Sequence, residues 1–282
     1  MSDNVLLLDA DIFCFQIASA VEKEIDWGDD LWTLHSDFND AKERLDATVA
    51  NLLEELDAEE AILCFTDGVN FRKSVLPSYK ENRKKTRKPL AYKALVDYCK
   101  ENYPTYTRPT LEADDVMGIL ATWPAFRPGK RKIIVSEDKD MKTIAGAWLY
   151  NPVKDSKPSL TKPEDAFRYF MEQTLTGDTT DGYSGCPGIG HDTAQEILDE
   201  PFGWEQYEHT FKSGPRKDTT EMRWRRCEVG SLWEAIVHHY IKAGLNEAVA
   251  LQNARCARIL HACDYDFATK EPILWTPATA AS

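Results

Sequence analysis

Residues 5–13, VLLLDADIF, hold a short apolar run that ends in an acidic residue, Asp9. Two further runs have the same form: AILCFTD at 61–67 and KIIVSEDKD at 132–140. Each has the length of a buried strand, and helix-length sequence separates it from the next. This alternation predicts an α/β fold in which a central parallel sheet carries helices on both faces.

Acidic residues follow all three predicted strands. In an open parallel sheet, ligands bind at the carboxyl ends of the strands, so these acids should gather at one edge. Asp11 is expected on the same strand face as Asp9, and its role is left open. The acids that end the strands are Asp9, Asp67, Asp138 and Asp140.

The stretch TLEADDVMGIL at 110–120 adds three acids in front of an apolar helix. Glu112 and Asp115 continue the buried stripe of that helix, and Asp114 lies between them. Acids in a first turn also favour the helix dipole, with Thr110 as a candidate N-cap. The dipole does not explain inward-facing carboxylates, because unpaired buried charge is costly.

The segment TGDTTDGYSGCPGIGHDTAQEIL at 176–198 combines paired acids with a glycine loop. Asp178 and Asp181 share one face if this part is helical. A tight loop then leads into a second helix that Asp192 and Gln195 are expected to begin as a capping box. Glycine lets backbone N–H groups approach a phosphate, so the loop predicts a phosphate clamp. The loop residues are Gly188, Ile189 and Gly190.

Together these segments supply nine candidate metal ligands. So many carboxylates need counter-charge, and oxygen ligands suit Mg²⁺ or Mn²⁺. Two such ions can activate water and stabilise the leaving oxygen of a phosphodiester. The nine are Asp9, Asp67, Glu112, Asp114, Asp115, Asp138, Asp140, Asp178 and Asp181.

Charge is strongly segregated along a chain whose net charge is −13. Residues 22–60 hold 14 acids and 3 bases, whereas residues 71–93 hold 9 bases and one acid. A basic segment of this kind can attract phosphate even on an acidic protein. Its bases are Arg72, Lys73, Lys80, Arg83, Lys84, Lys85, Arg87, Lys88 and Lys93.

The remaining composition is that of a globular protein of 282 residues, 43% hydrophobic and 29% charged. No apolar run has the length of a membrane span, and the first residues lack the features of a secretory signal. Seven cysteines without a CxxC pair favour a reducing compartment, so we expect a cytoplasmic protein. Cys256, His261 and Cys263 lack a fourth ligand with zinc-like spacing.

The ordered motifs resemble the flap-endonuclease-like 5′ nucleases, which include the 5′-nuclease domains of bacterial DNA polymerases and the phage 5′→3′ exonucleases. The motifs are LLLDADIFCFQ, FTDGVNFRKSVLPSYKENRKK, LEADDVMG, SEDKDMKT and GDTTDGYSGCPGIGHDTA, and they span nearly the whole chain. The resemblance implies a PIN-like nuclease core, a helical arch or clamp, and a helix-three-turn-helix motif that grips duplex DNA and often a potassium ion. It implies 5′→3′ exonuclease action on duplex ends and removal of RNA primers from RNA–DNA hybrids.

The resemblance also assigns roles to residues of the basic segment. It places Tyr79, Lys80 and Arg83 at the clamp, where Tyr79 would stack on the substrate end. Lys80 and Arg83 would lie beside the metals as catalytic cations, on one side of a helix if the segment is helical. The glycine loop would contact the duplex. The more general DNA attraction would come from Lys84, Lys85, Arg87 and Lys88.

Two features depart from the family pattern. Many relatives have a lysine just after the second loop glycine, whereas this chain has His191 and Asp192. Asp11 is an extra acid relative to many members.

The predicted organisation is a nuclease core over 1–165 with the clamp at about 71–93, a helical DNA-binding subdomain over 166–275 and a flexible tail over 276–282, or one integrated domain. A structure-specific flap endonuclease is the nearest alternative function. More distant alternatives are a haloacid-dehalogenase-like phosphatase, which would use Asp9 and Asp11 as a DxD motif, and a non-catalytic DNA-binding module.

Overall fold

A computed structural model describes residues 3–85 and 87–277, and the side chains of Lys84 and Lys85 are not part of that description. The predicted tail therefore lies outside the described residues from position 278 onward. Within the described residues, no helix is long and apolar enough to cross a membrane.

The central element is a six-stranded sheet with the strand order β5-β4-β1-β6-β7-β8. The first five strands along that order run parallel, and β8 pairs antiparallel with β7. This confirms the predicted parallel sheet. Its strands are β1 Asn4–Asp9, β4 Ala58–Phe65, β5 Thr105–Thr107, β6 Arg131–Val135, β7 Trp148–Tyr150 and β8 Ser159–Leu160.

Nine α-helices lie within the described residues. They are α1 Ala10–Ala20, α2 Phe38–Glu55, α3 Arg72–Val75, α4 Tyr92–Asn102, α5 Ala113–Thr122, α6 Pro163–Thr176, α7 His191–Asp199, α8 Leu232–Lys242 and α9 Glu247–Ala257. Short 3₁₀ helices span Glu81–Lys85, Lys139–Thr143 and Ala262–Asp264.

Three β-hairpins complete the described structure. They pair β2 Glu22–Asp26 with β3 Trp32–Ser36, β9 Gly203–Thr210 with β10 Thr220–Cys227, and β11 Tyr265–Asp266 with β12 Glu271–Pro272. The hairpin of β9 and β10 lies within the region predicted to be a helical subdomain, so that subdomain contains strands as well as helices.

Helices cover both faces of the sheet. Leu6 and Leu8 of β1 pack in a core with α1, α2 and α4. Alternate residues such as Leu7 point to the opposite face, where α5 packs against β1, β4 and β6. Burial on both faces explains why the strand sequences are continuous apolar runs.

The chain divides into two compact units, and each is discontinuous in sequence. Unit 1 comprises 1–71, 83–167 and 259–273, and unit 2 comprises 72–82, 168–258 and 274–282. The division differs from the predicted domains. Residues 72–82, which were predicted to be part of the nuclease core, belong to unit 2, and residues 259–273, which were predicted to be part of the helical subdomain, belong to unit 1. Unit 2 has its own core, which includes Phe170, Ile197, Ile236 and Tyr240.

Several local expectations were wrong. In its described residues, 71–85 and 87–93, the basic segment forms no long helical arch: they contain the four-residue α3, a short 3₁₀ helix and irregular chain before α4. Lys80 has a φ of 53°, so it does not share a helix face with Arg83. The N-cap of α5 is Glu112, and Thr110 instead has a φ of 65°.

Candidate active site

The end of β1 is the topological switch point of the sheet. Strand β1 lies between β4 and β6, and chain order runs outward from it in both directions. Asp9 ends β1, and Ser136 and Asp138 follow β6. Ser136 Oγ donates to Asp9 Oδ2 at 3.0 Å and accepts from the Asp138 backbone N–H at 3.1 Å. The predicted convergence of these two strand ends is therefore present in the structure.

Asp9 is a strongly perturbed carboxyl group at the sheet edge. It is 3% exposed and caps α1 by accepting from the Ile12 N–H at 3.3 Å. Its pKa is raised to about 7, chiefly by burial; the hydrogen bonds from Ser136 and Ile12 oppose the rise, and the charges of Asp11 and Asp138 add to it. A carboxylate that is desolvated beside like charges favours a nearby cation.

Asp11 was expected on the same strand face as Asp9. It lies instead in the first turn of α1. Its Oδ2 accepts from the Thr66 N–H at 2.8 Å, and its Oδ1 accepts from the Tyr92 hydroxyl at 2.9 Å. Asp11 thus ties α1 to the end of β4 and to α4, which gives this extra acid a structural role.

Asp67 joins the end of β4 to the segment before α5. Its Oδ2 accepts from the Thr110 N–H at 2.9 Å. The backbone N–H groups of Thr110, Gly68 and Val69 lower its pKa. One oxygen of this predicted ligand is therefore already engaged by backbone.

The acids of α5 divide into two groups. Glu112 and Asp115 form a capping box and are 7% and 0% exposed, which confirms that they face inward. Asp115 accepts from the Leu260 N–H at 3.1 Å and from the Glu112 N–H at 3.3 Å. The buried charge of Asp115 is therefore satisfied at least in part by backbone. Asp114 is only partly buried.

Three of these acids act electrostatically on the Cys64 thiol of β4. Burial is the main cause that raises the pKa of the Cys64 thiol well above its ordinary value, and Asp9, Asp11 and Asp114 raise it further. Cys64 is the register partner of Asp9 in the sheet. The acids at the end of β1, in α1 and at the start of α5 thus all raise the pKa of the same thiol.

Asp138 and Asp140 form a compact turn after β6. Asp138 caps the 3₁₀ helix Lys139–Thr143, and its Oδ1 accepts from the Asp140 N–H at 2.8 Å. Both side chains are partly exposed, so they can approach a ligand from solvent.

This set of oxygen donors and the repulsion around Asp9 fit a hard divalent cation. Within residues 3–85 and 87–277, however, no three His, Cys, Asp or Glu side chains lie close enough together to hold a metal ion. Seven of the nine predicted ligands belong to unit 1, and Asp178 and Asp181 belong to unit 2.

Asp178 and Asp181 lie in a turn closed by an antiparallel bridge between Asp178 and Tyr183, so the expected helical face was wrong. Asp178 Oδ1 accepts from the Thr180 N–H at 2.7 Å. Asp181 Oδ2 accepts from the Tyr79 hydroxyl at 2.8 Å and lies 3.4 Å from Lys80 Nζ.

Tyr79 does not have the geometry that was expected for stacking on a DNA end. It is 2% exposed and belongs to the core of unit 2. Its hydroxyl instead orients Asp181, and Lys80 Nζ lies 5.2 Å from the centre of its ring. Tyr79 therefore positions the Lys80–Asp181 pair.

The turn that precedes the glycine loop depends on a close backbone approach between Gly177 and Gly185, which the sequence interpretation missed. A Cβ atom at Gly177 would lie 2.4 Å from the backbone N of Gly185, and both residues have positive φ. Gly188 and Gly190, by contrast, are exposed and have open space where a Cβ would stand. The sequence signal that could have revealed the pair of Gly177 and Gly185 is the repeated glycine in TGD and SGC, on either side of the acids.

Helix α7 begins directly after this loop. Its N-cap is Gly190, with no side-chain cap, so the expected capping box of Asp192 and Gln195 was wrong. The first N–H groups of α7 therefore have no capping side chain, which is an arrangement that suits an anion.

Bases of the segment 71–93 differ in their surroundings. Arg72 is 2% exposed and donates to the carbonyls of Cys256 and Arg258, so it is structural. Arg87 pairs with Glu22 at 3.0 Å, and Lys88 Nζ lies 4.2 Å from the centre of the Tyr92 ring. Arg83 is exposed. The predicted DNA contacts of Lys84 and Lys85 fall on side chains outside the described part of the chain.

Comparison with known proteins shows the family to which the chain belongs. Residues 4–167 match the family described as 5′-3′ exonuclease, N-terminal resolvase-like domain. The exodeoxyribonuclease of Enterobacteria phage T3 is 36% identical over 97% of this chain and 93% of its own length. The exonuclease of Escherichia phage T7 is 34% identical over 97% of this chain and 94% of its own length.

The fold is shared with a flap endonuclease of bacteriophage T5 that was solved in a complex with DNA and metal ions. That structure has a TM-score of 0.54 and 19% identity, and the match covers 70% of this chain and 75% of the T5 chain. The phosphatase alternative gains no support from these similarities. The chain, with its acidic sheet edge and its glycine loop, therefore belongs to the 5′-3′ exonuclease family and is a 5′-3′ nuclease.

Proposed function

We propose that the chain is a metal-dependent 5′→3′ exodeoxyribonuclease that hydrolyses duplex DNA from ends and nicks and leaves 5′-phosphates. The observation that carries this proposal is the set of carboxylates at the switch point, where Asp9 is buried with a pKa of about 7. The near full-length similarity to two phage exonucleases supports the choice of DNA as substrate.

Mg²⁺ or Mn²⁺, as two ions, is the proposed cofactor. The proposed direct ligands are Asp9 at the strand end, Glu112, Asp114, Asp138 and Asp140. Asp67 and Asp115 are proposed to hold this edge in place, because backbone N–H groups already engage their carboxylates. Bound ions would supply water activation and charge stabilisation at the scissile phosphate.

Unit 2 is proposed to handle the substrate. Asp181 Oδ2 lies 3.4 Å from Lys80 Nζ and accepts from the Tyr79 hydroxyl. These two contacts are proposed to hold the Lys80 ammonium in position to bind a phosphate. Asp178 and Asp181 remain proposed metal ligands from the family resemblance. Gly188 and Gly190 leave space for close backbone contact with the duplex, and a potassium ion is proposed at this loop.

The proposal is tested with duplexes labelled at the 5′ or the 3′ end, incubated with Mg²⁺, with Mn²⁺ or with excess EDTA. We expect metal-dependent release from 5′ ends and products that carry 5′-phosphates. Full activity in EDTA, or degradation that starts at 3′ ends, would overturn the proposal.

The second candidate is a structure-specific flap endonuclease, which the fold shared with the T5 enzyme favours. Nicked, flapped and RNA–DNA hybrid substrates compared at equal concentration separate the two activities. We propose that duplex ends and nicks are cleaved fastest, that RNA primers in hybrids are also removed, and that the enzyme acts in the cytoplasm of a phage host.

A further inference from the structure

The β9–β10 hairpin of unit 2 lies outside both the acidic sheet edge and the glycine loop. Its strands pair in register from Gly203 with Cys227 to Thr210 with Thr220, and backbone hydrogen bonds continue the pairing one residue further. Each strand has eight residues, which gives a ribbon about 27 Å long. The hairpin is therefore long enough to contact a ligand well away from its root.

The root of this hairpin is fixed on α7 and α8. A Cβ at Gly203 would lie 2.4 Å from His238 Nδ1, so glycine lets the first strand pack directly against α8. The backbone N–H of Trp204 donates to the same nitrogen at 3.3 Å. On the other strand, Arg226 pairs with Glu196 of α7 at 2.6 Å. Because α7 begins directly after the glycine loop, the ribbon has a fixed direction relative to that loop.

Side chains on one face stiffen the outer half of the ribbon. The centre of the His209 ring lies 5.2 Å from that of Phe211 and 6.2 Å from that of Tyr207. The guanidinium of Arg223, on the facing strand, lies 5.1 Å from the centre of the Phe211 ring. These contacts connect neighbours along and across the strands, and they support an extended ribbon.

The tip of the hairpin, residues 211–217, contains an ordered turn. The Lys217 N–H donates to the Gly214 carbonyl at 3.1 Å and closes a β-turn. Pro215 occupies the second position of that turn, where proline is favoured because its φ is already fixed. The tip therefore presents its side chains from a defined backbone.

Positive charge is concentrated at the tip. It holds three bases and no acid, although the whole chain has a net charge of −13. Lys212 and Lys217 are exposed, and neither forms an ion pair in the described part of the chain. The side chain of Arg216 is 67% exposed and shares Glu221 with Arg223. The acids of the hairpin lie in its strands and just after the tip: Glu205, Glu208, Asp218 and Glu221. A local basic surface of this kind attracts phosphate.

We propose that the tip of the β9–β10 hairpin binds the phosphate backbone of the duplex at a second site, away from the glycine loop. Lys212 and Lys217 are its principal cations, and Arg216 supports them. This inference rests on the proposed function and deepens it, because it assigns a further contact to the same DNA substrate. A ribbon of this length reaches duplex up to about 8 base pairs from its root, at about 3.4 Å per base pair.

The surroundings of the aromatic rings favour a duplex over a single-stranded overhang. A single strand would bind by stacking its bases on exposed rings. Here arginines already lie over the rings: Arg216 is 4.3 Å from the centre of Phe211, and Arg225 is 5.3 Å from the centre of Tyr207. The rings therefore position cations, and the uncompensated lysines are left to contact phosphates.

The test variant combines Lys212→Gln with Lys217→Gln, which removes two charges from exposed positions. The control combines Lys130→Gln with Lys270→Gln. Lys130 directly precedes β6, at the edge of the sheet opposite Asp138, and Lys270 lies in the turn between β11 and β12. Lys212→Arg with Lys217→Arg keeps the charge of the tip and should behave as the wild type.

The measurement is the affinity in Ca²⁺ for blunt duplexes of about 10 to about 40 base pairs at several salt concentrations. Two lost phosphate contacts should lower the slope of log affinity against log salt by about 1.8 on the longest duplex. Between about 50 and about 200 mM salt, the wild type should then lose about twelvefold more affinity than the tip variant. On the shortest duplex the two proteins should have equal slopes, because that duplex ends before the tip.

A wild-type slope for the tip variant at every duplex length would overturn the proposal. An equal loss of slope in the control variant would also overturn it, because the effect would then belong to net charge. A loss that is the same on the shortest and the longest duplex would contradict a contact away from the glycine loop. A loss confined to single-stranded DNA would assign the tip to an overhang and overturn the duplex contact.

Cleavage of labelled duplex in Mg²⁺ separates this inference from the proposed function. At saturating enzyme, the tip variant should cleave at the wild-type rate, because the tip contributes to binding alone. Absence of cleavage by the wild type contradicts the proposed function, whereas normal cleavage with unchanged slopes contradicts the hairpin contact alone.

Discussion

Replacing Asp9 with Asn tests the electrostatics of the sheet edge directly. Asparagine can keep a hydrogen bond at both positions: its amide oxygen accepts from the Ile12 N–H, and its amide NH2 takes the place of the oxygen beside Ser136 and donates to Ser136 Oγ, which reverses that bond. It is also a favourable N-cap residue for α1. The substitution therefore removes the charge with little other change, and it should stabilise the metal-free protein while abolishing metal-dependent cleavage.

The size of the effect follows from the pKa of Asp9, which rises from 3.8 to about 7 on folding. The folded state holds the proton of Asp9 more tightly than the unfolded state does. The contribution of the protonated Asp9 to the free energy of unfolding is therefore fully present below about pH 4 and is lost as the pH rises through 7. At pH 8 the charged side chain costs at most about 4 kcal/mol. The variant should gain that amount at pH 8 and almost nothing at pH 4.

Urea unfolding in EDTA at pH 4, 6 and 8 measures the difference between the wild type and Asp9→Asn. Asp97→Asn, an exposed carboxylate on α4, is the matched control. Added Mg²⁺ should stabilise the wild type more than Asp9→Asn. A variant that is less stable than the wild type at pH 8, or a difference that does not grow with pH, would refute the reasoning.

Three further predictions follow from the site. Gly177→Ala should lower the free energy of unfolding by about 3 kcal/mol or more, because its Cβ meets backbone at 2.4 Å, whereas Gly188→Ala should cost only about 1 kcal/mol in urea unfolding. Lys80→Ala should lower single-turnover cleavage in Mg²⁺ much more than duplex affinity in Ca²⁺; equal losses would make it a general attractor. Asp138→Ala and Asp140→Ala should each cut turnover by orders of magnitude while circular dichroism shows an intact fold, and near-normal turnover would remove them as ligands.

The sheet and its acidic edge could be predicted because their signals are local. Apolar runs such as residues 5–8 are buried on both faces, so every position must be apolar and the strand is readable without partners. The position of Asp9 at a strand end follows from the same run. The buried stripe of α5 was predicted correctly for the same reason: Val116, Ile119 and Leu120 are at most 2% exposed.

The features that were missed depend on residues far apart in the chain. Asp115 is satisfied by the backbone of Leu260, and Tyr79 is buried by unit 2, and neither partner is visible from the neighbouring sequence. The turn at Asp178 is shaped by the approach of Gly177 to Gly185 rather than by helix propensity.

The two longer hairpins escaped prediction because of their exposure. In the β2–β3 hairpin, most side chains of both strands are exposed, so no burial pattern marks the strands. Trp27 in the connecting turn is 64% exposed and Trp32 at the start of β3 is 56% exposed, where aromatic residues in sequence usually indicate a core. In the β9–β10 hairpin half of the residues are exposed and only Gly203 is buried, so these strands carry no continuous buried run.

The most direct test of the central claim is to locate the divalent cation on the protein. Fe²⁺ placed in the Mg²⁺ site, with ascorbate and peroxide, generates radicals that cut the backbone next to the bound ion. The account predicts cuts near Asp9, residues 112–115 and residues 138–140, suppressed by excess Mg²⁺ and lost in Asp138→Ala. Cuts confined to other segments, or cuts that Mg²⁺ does not suppress, would contradict a catalytic metal centre at the end of β1.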